Sequence, residues 1–182
     1  GKVSMDGKGG NDRYELDLST LANAVVMDSS TNPNEQDELT ILGSNSNDSF
    51  LLEGTQISVG GKLINVASSG AELIRIAARM GDDTLTVNQV EMSDILLDGM
   101  EGSDTYVLNI CGCTAAITVK DSSTWGDDVL FINGSSGDDA FTVGENIATC
   151  GDSVVIRYDN SLETFIVDGK GGQDSFNISG NP

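Results

Sequence analysis

Short clusters in which apolar and polar side chains alternate recur along the whole chain, as in "RYEL", "SFLL", "TLTV", "TYVL", "AFTV" and "SFNI". Period-two alternation is the signature of strands with one buried face. Clusters begin near Tyr14, Ala24, Leu39, Phe50, Lys62, Leu73, Thr84, Ile95, Thr105, Ala116, Val129, Ala140, Ser153, Thr164 and Ser175, most of them ten to thirteen positions apart. Each is closed by Gly, Asn, Asp or Ser, residues that accept left-handed backbone angles or hydrogen-bond their own turn. With only two prolines in the chain, few ladder donors are lost. The pattern predicts an all-β protein of many short strands.

Self-similarity sharpens this. Seven segments share a small or turn-forming start, then Asp, then x-apolar-x-apolar: "GKGGNDRYEL", "GSNSNDSFLL", "ARMGDDTLTV", "GMEGSDTYVL", "STWGDDVLFI", "GSSGDDAFTV" and "GKGGQDSFNI". Their aspartates are Asp12, Asp48, Asp83, Asp104, Asp128, Asp139 and Asp174. A longer repeat lies above the motif: "DGKGGNDRYELDLSTLANAVVMDSS" from Asp6 matches "DGMEGSDTYVLNICGCTAAITVKDSS" from Asp98, and Asp48, Glu72 and Asp83 recur 91 positions on as Asp139, Glu163 and Asp174. The chain reads as a tandem duplication, with units 1–96 and 97–182 stacked continuously. The comparison also settles "GAELIRIAARM", residues 70–80, which has helix-forming residues but aligns with the strand-like "SLETFIVDGKG". Recurrent turn chemistry at every corner predicts a β-solenoid, a parallel β-helix or β-roll, over a pair of β-sandwiches.

Charge narrows the partners. The 182 residues carry 29 acidic and 9 basic side chains, a net charge of −20, with no histidine. Phosphate-rich partners would be repelled, which argues against nucleic acid and anionic membranes. No apolar run is long enough for a membrane helix. The chain starts and stops inside the repeated motif without a signal peptide at Gly1, so we expect it to be a piece of a longer repeat protein.

The motif resembles the hemolysin-type, or RTX, repeat, G-G-x-G-x-D-x-U-x with U a large apolar residue. Around Asp12, Gly7, Gly10 and Tyr14 fit while Lys8 takes the place of the second glycine; Met100 and Lys170 depart in the same way around Asp104 and Asp174. Asp139 keeps Gly134, Gly137 and Phe141, whereas Asp48 keeps only Gly43 and Phe50. No two copies are nine residues apart, so the likeness is to a degenerate, longer-period form found in large bacterial surface proteins. It implies secretion or cell-surface display, stacked turns, and calcium held by the seven motif aspartates. Two roles are open to each of them: ion ligand, or turn cap accepting a nearby N–H. Carboxylates stacked about 4.8 Å apart repel, and the doublets Asp82/Asp83, Asp127/Asp128 and Asp138/Asp139 concentrate that charge.

Catalysis finds little footing. Without histidine or a G-x-S-x-G elbow there is no nucleophile–base pair, and Arg75, Arg79, Arg157 and Lys120, the bases a β-helix polysaccharide lyase would use, show no clustering in the sequence. We therefore expect a non-catalytic, calcium-stabilised structural or adhesive module, with a glycan-binding module or a lyase-like fragment as alternatives. A cell-surface glycan or protein is the expected partner besides calcium, and Trp125 and Tyr158 are the candidate sugar-stacking aromatics. Cys150 is expected to pair with Cys111 or Cys113, leaving one free thiol.

Overall fold

The computed structural model describes residues 2–20, 23–27, 29–30, 32, 34–68, 70–90, 94–109, 113, 115–151 and 154–180. These form eighteen strands and no helix. In chain order they are β1 (Lys2–Asp6), β2 (Arg13–Asp17), β3 (Asn23–Met27), β4 (Glu38–Leu42), β5 (Ser49–Gly54), β6 (Gln56–Val59), β7 (Lys62–Ser68), β8 (Leu73–Ala77) and β9 (Thr84–Val90). The second half continues with β10 (Asp94–Asp98), β11 (Thr105–Asn109), β12 (Ala116–Lys120), β13 (Val129–Asn133), β14 (Ala140–Gly144), β15 (Ile147–Cys150), β16 (Val154–Tyr158), β17 (Thr164–Asp168) and β18 (Ser175–Ile178). The all-β expectation holds, and residues 70–80 and 161–171 both contain strands, as their alignment requires.

Two nine-stranded sheets result, ordered β1-β3-β7-β6-β5-β9-β11-β13-β17 and β2-β4-β8-β10-β12-β16-β15-β14-β18. Successive strands alternate between the sheets and pair in parallel with neighbours of their own sheet. The exceptions are two antiparallel meanders, β5-β6-β7 and β14-β15-β16. Strand after strand shows alternate burial, and the inward positions of both sheets merge into one apolar cluster that includes Leu39, Phe50, Ile74, Leu85, Tyr106 and Ile156. The sequence pattern did not reveal β1, β6 and β15. β6 and β15 have only four residues each and form the middle of the meanders, where a tight turn joins two clusters that read as one. Residues 96 and 97, the edges of the two units, both lie in β10, which pairs with β8 on one side and β12 on the other.

The motifs that begin with glycine begin with a close approach. The backbone N–H of Gly99 donates to Tyr106 Oη at 2.7 Å, and that hydroxyl donates to the Lys120 carbonyl at 3.1 Å. In the first unit Gly7 N–H, Tyr14 Oη and the Met27 carbonyl repeat the bridge at 2.7 and 3.3 Å. A Cβ on Gly99 would lie 2.1 Å from Asp104 Oδ2 and 2.6 Å from Tyr106 Oη, so only glycine fits. The second residue of the motif is left-handed in four copies, with φ of 75° at Lys8, 83° at Arg79, 73° at Met100 and 65° at Lys170. These are the positions where glycine is displaced from the RTX pattern, and a side chain there costs roughly 1–2 kcal/mol in local strain.

Cys150 is disulfide-bonded and Cys113 is a buried free thiol, so Cys113 is not the partner of Cys150. Cys111 lies outside the described residues.

Two substitutions test the turn. Met100→Gly should stabilise the protein by about 1 kcal/mol, since the strain it relieves exceeds the added freedom of the unfolded chain. Gly99→Ala should cost on the order of 3 kcal/mol, because either the Tyr106 bridge or Asp104 must move. Urea denaturation monitored by far-ultraviolet circular dichroism measures both.

Candidate metal centre

The two residues before each strand lie outside the regular ladder, and their N–H groups need acceptors. Carboxylates of the neighbouring strand supply them. Asp48 N–H donates to Asp83 Oδ1 (2.6 Å), Asp83 N–H to Asp104 Oδ1 (2.8 Å), Asp104 N–H to Asp128 Oδ1 (2.8 Å) and Asp128 N–H to Glu163 Oε2 (2.7 Å). In the other sheet Asp12 N–H donates to Asp37 Oδ1 and Asp37 N–H to Glu72 Oε2, each at 2.7 Å, and Asp139 N–H donates to Asp174 Oδ1 at 3.0 Å. All seven motif aspartates thus belong to these ladders: the carboxylates of Asp83, Asp104, Asp128 and Asp174 cap the neighbouring strand, whereas Asp12, Asp48 and Asp139 take part through their N–H groups. Asp37, Glu72 and Glu163 complete the columns, although sequence reading gave them no site role.

A second ladder, one residue earlier, runs the opposite way. Asp82 N–H donates to Asn47 Oδ1, Ser103 N–H to Asp82 Oδ1, both at 3.0 Å, and Asp127 N–H to Ser103 Oγ at 3.1 Å. This separates the Asp-Asp doublets: Asp82, Asp127 and Asp138 are exposed, while Asp83 and Asp128 are buried and Asp139 is half-buried. The doublets therefore do not concentrate charge at one point. One carboxylate faces solvent and the other the interior.

Among the described residues the inner acids converge at one place. Asp104, Asp121 and Asp128 are 0 %, 6 % and 4 % exposed, and each offers a carboxylate oxygen within 4.8 Å of the others. Asp104 and Asp128 come from the turns before β11 and β13, and Asp121 directly follows β12. Several of their oxygens are already committed. Asp128 Oδ1 accepts Asp104 N–H, Asp104 Oδ1 accepts Asp83 N–H, and Asp121 Oδ1 accepts Ser123 N–H at 2.6 Å. Among the described residues Asp104 Oδ2 and Asp121 Oδ2 are buried without a hydrogen-bond partner, as are Asp83 Oδ2 and Asp12 Oδ2. A buried carboxylate oxygen without a donor is costly unless a proton or cation meets it.

Burial shows the same deficit electrostatically. Loss of hydration pushes Asp83, Asp104 and Asp121 up to about 7 from 3.8, against the backbone N–H bonds they accept, and neighbouring carboxylates push the same way. Burial raises Asp128 as well, and Glu163 adds to it. The all-oxygen, triply acidic donor set suits a hard divalent ion, for which three carboxylates supply part of a six- to eight-oxygen shell.

Asp12, Asp48, Asp83, Asp139 and Asp174 stay outside this cluster. Asp48 Oδ2 and Asp139 Oδ2 are occupied by the N–H groups of Ser44 and Ser135, each at 2.6 Å. Asp121 went unread as a ligand because it precedes no strand motif. Its signal was the "DSS" shared with Asp28, which aligns the two units. The sequence counterparts of the triad are Asp12, Asp28 and Asp37, of which Asp28 lies outside the described residues.

The basic residues are arranged otherwise than the sequence suggested. Arg75 and Lys120 meet at the fully buried Asp98, at 2.8 and 3.2 Å from its Oδ2, because β8, β10 and β12 are adjacent. Arg79 pairs with Asp17 at 2.8 Å, and Arg157 is exposed. Tyr158 is a core residue, 6 % exposed, with its hydroxyl donating to the Gly144 carbonyl; it offers no sugar-stacking face. Trp125 is 78 % exposed. No protein-family model matches this chain, and no curated protein or solved structure matches it either.

The sign of the pH dependence follows from these shifts. A carboxylate whose folded pKa lies near 7 while its unfolded value is 3.8 binds more protons when folded, so the contribution of these three groups to stability is fully present below 3.8 and is lost as pH rises through about 7. In a chelator, melting temperature should rise as pH is lowered from 7 to about 5. In the same ion-free buffer at pH 7, Asp121→Asn should stabilise by on the order of 1 kcal/mol by removing one of three mutually repelling charges. Calorimetry across the pH series checks both.

Proposed function

We propose that this chain is a non-catalytic, cation-stabilised structural or adhesive module of a secreted or cell-surface protein, wound as a β-solenoid of RTX-like turns. The observation that carries the reading is the buried Asp104/Asp121/Asp128 cluster with two unpartnered carboxylate oxygens. Three carboxylates brought together in the interior are a liability for an ion-free fold and an asset for one that binds a divalent ion, which is the logic of a protein that works in a calcium-rich medium. Calcium is the favoured ion because it accepts irregular oxygen shells, whereas magnesium keeps its water and demands an octahedron. The resemblance to RTX turns is supported by the left-handed backbone at Lys8, Met100 and Lys170, where a glycine would sit without strain. The solenoid reading is supported by parallel pairing and by the alternation of strands between two sheets.

A structural rather than catalytic role is favoured by where the cations go. Arg75 and Lys120 are held by Asp98, and Arg79 by Asp17, so a substrate carboxylate would have to displace internal partners. A glycan-binding module is the second reading, favoured by the single exposed indole of Trp125. Since Trp125 is the only tryptophan, titration with oligosaccharides while following its fluorescence is unambiguous.

An ion that binds the folded state alone stabilises it by roughly 2.7 kcal/mol at a hundredfold excess over Kd. Millimolar calcium should therefore raise the melting temperature by about 5–10 °C. Magnesium should do much less, and sodium chloride of equal ionic strength less still. Asp104→Asn and Asp121→Asn should each abolish most of the calcium increment. If calcium, magnesium and sodium act alike, the effect is screening of the net charge and the acids are caps only.

A further inference from the structure

The duplication separates residues the fold requires from residues it does not. At the end of β9 the chain steps out of register with β5: Glu53 faces Asn88, but Gly54 faces Val90, so Gln89 is an extra, bulged residue. Its φ is 30°, on the left-handed side. The counterpart of Gln89, 91 positions on, is Gly180, with φ of 90°. Glycine holds such a backbone without strain, so glutamine stands in the first unit at a conformational cost that the fold does not demand.

Gln89 borders a cleft of about 300 Å³ that is also lined by Glu53, Asn88, Asn109, Gly134 and Ser135. The cleft lies over β5, β9, β11 and the end of β13, which are neighbours inside their sheet rather than its terminal strands. Its polar groups are only partly used. Asn109 Nδ2 donates to Asn88 Oδ1 and Asn133 Nδ2 to Asn109 Oδ1, each at 2.8 Å, so the amide column ends on Asn88, whose own Nδ2 donates to no described residue. The amide of Gln89 and the carboxylate of Glu53 are exposed and have no hydrogen-bond partner among the described residues. In the second unit the positions of Glu53, Asn88 and Gln89 are taken by Gly144, Ser179 and Gly180, so the strands close there without these groups. Beside the cleft, Val107 and Phe131 pair in register two positions before Asn109 and Asn133, and therefore share their outer face. Both are half-buried and give the cleft an apolar flank.

We propose that this cleft binds a neutral glycan. Ring hydroxyls donate to the Glu53 carboxylate and accept from the Asn88 and Gln89 amides, while a C–H face of the sugar rests on Val107 and Phe131. Each hydroxyl of a pyranose is both donor and acceptor, and a carboxylate beside free carboxamides supplies the complementary set. Glu53 and the net charge of −20 turn away uronate and sulfated chains. Trp125 takes no part, since it precedes β13 whereas the cleft lies where that strand ends. The site gives the adhesive reading above a ligand class. It needs no bound ion, so its failure leaves the cation reading, which is tested by melting, untouched.

Isothermal titration calorimetry of the full chain with cellohexaose, maltohexaose and mannohexaose tests the proposal, with hexagalacturonate as the anionic control. At least one neutral hexasaccharide should bind with a Kd of about 0.1–1 mM, and hexagalacturonate should not bind. Gln89→Gly should weaken binding roughly tenfold or more without lowering the melting temperature, a combination that a merely structural glutamine would not produce. Glu53→Ala should weaken binding by a similar factor, whereas Trp125→Phe should leave it unchanged. A chain that binds none of the three neutral sugars at about 5 mM overturns the proposal. So does binding that survives both Gln89→Gly and Glu53→Ala, binding lost with Trp125→Phe, which moves the site to the indole, or a preference for hexagalacturonate. Circular dichroism of each variant verifies folding; should Glu53→Ala unfold, Glu53→Gln replaces it in the same titration.

Discussion

The structure turns on an amide without an acceptor. Where the chain leaves a turn to enter a strand, its N–H groups lie ahead of the regular ladder, and an N–H closed off from water must still be satisfied. This protein satisfies it with a carboxylate from the neighbouring strand, as Asp48, Asp83, Asp104 and Asp128 do in succession. The solution fixes register, since a one-residue slip would replace the inward carboxylate with the outward side chain before it. It also places acid inside the molecule at every step. The buried, partly unpartnered oxygens of Asp12, Asp83 and Asp104 follow from this choice, and so does the need for protons or a cation where Asp121 meets two successive members of one column, Asp104 and Asp128.

Duplication and topology are linked by parity. Of the nine connections from β1 to β10, the two inside the β5-β6-β7 meander stay in one sheet and seven cross between sheets. Seven is odd, so each strand of the second unit lies in the opposite sheet from its counterpart. The β14-β15-β16 meander widens one sheet as β5-β6-β7 widens the other, and both sheets end with nine strands. The exchange also lets the carboxylate column that begins at Asp48 in the first unit run without a break into Asp104 and Asp128 of the second.

A further column closes the opposite strand ends. Asn109 Nδ2 donates to Asn88 Oδ1 and Asn133 Nδ2 to Asn109 Oδ1, each at 2.8 Å. Here the amide side chain acts as both donor and acceptor, so the column carries no charge and needs no ion. The contrast with the aspartate ladder is one of chemistry: a carboxylate only accepts, and its second oxygen is left over.

Much of this was legible in the sequence because it is local. Alternation at Tyr14, Phe50 or Leu85 identifies an inward face, the glycines ahead of Asp12 and Asp104 mark a turn, and the 91-residue repeat assigns residues 70–80 to a strand despite their helix-forming composition. The tertiary structure decided which acids meet. Asp121 lies seventeen positions from Asp104 and follows no motif, so its convergence with Asp104 and Asp128 depends on the strands bringing the β12–β13 connection, which holds Asp121 and Asp128 at its two ends, against the turn before β11. The pairing of Arg75 and Lys120 on Asp98 has the same origin, because strands adjacent in a sheet are far apart in the chain. Periodicity records which way a side chain faces; which distant side chain it then meets is set by strand order, and that is fixed only when the sheets assemble.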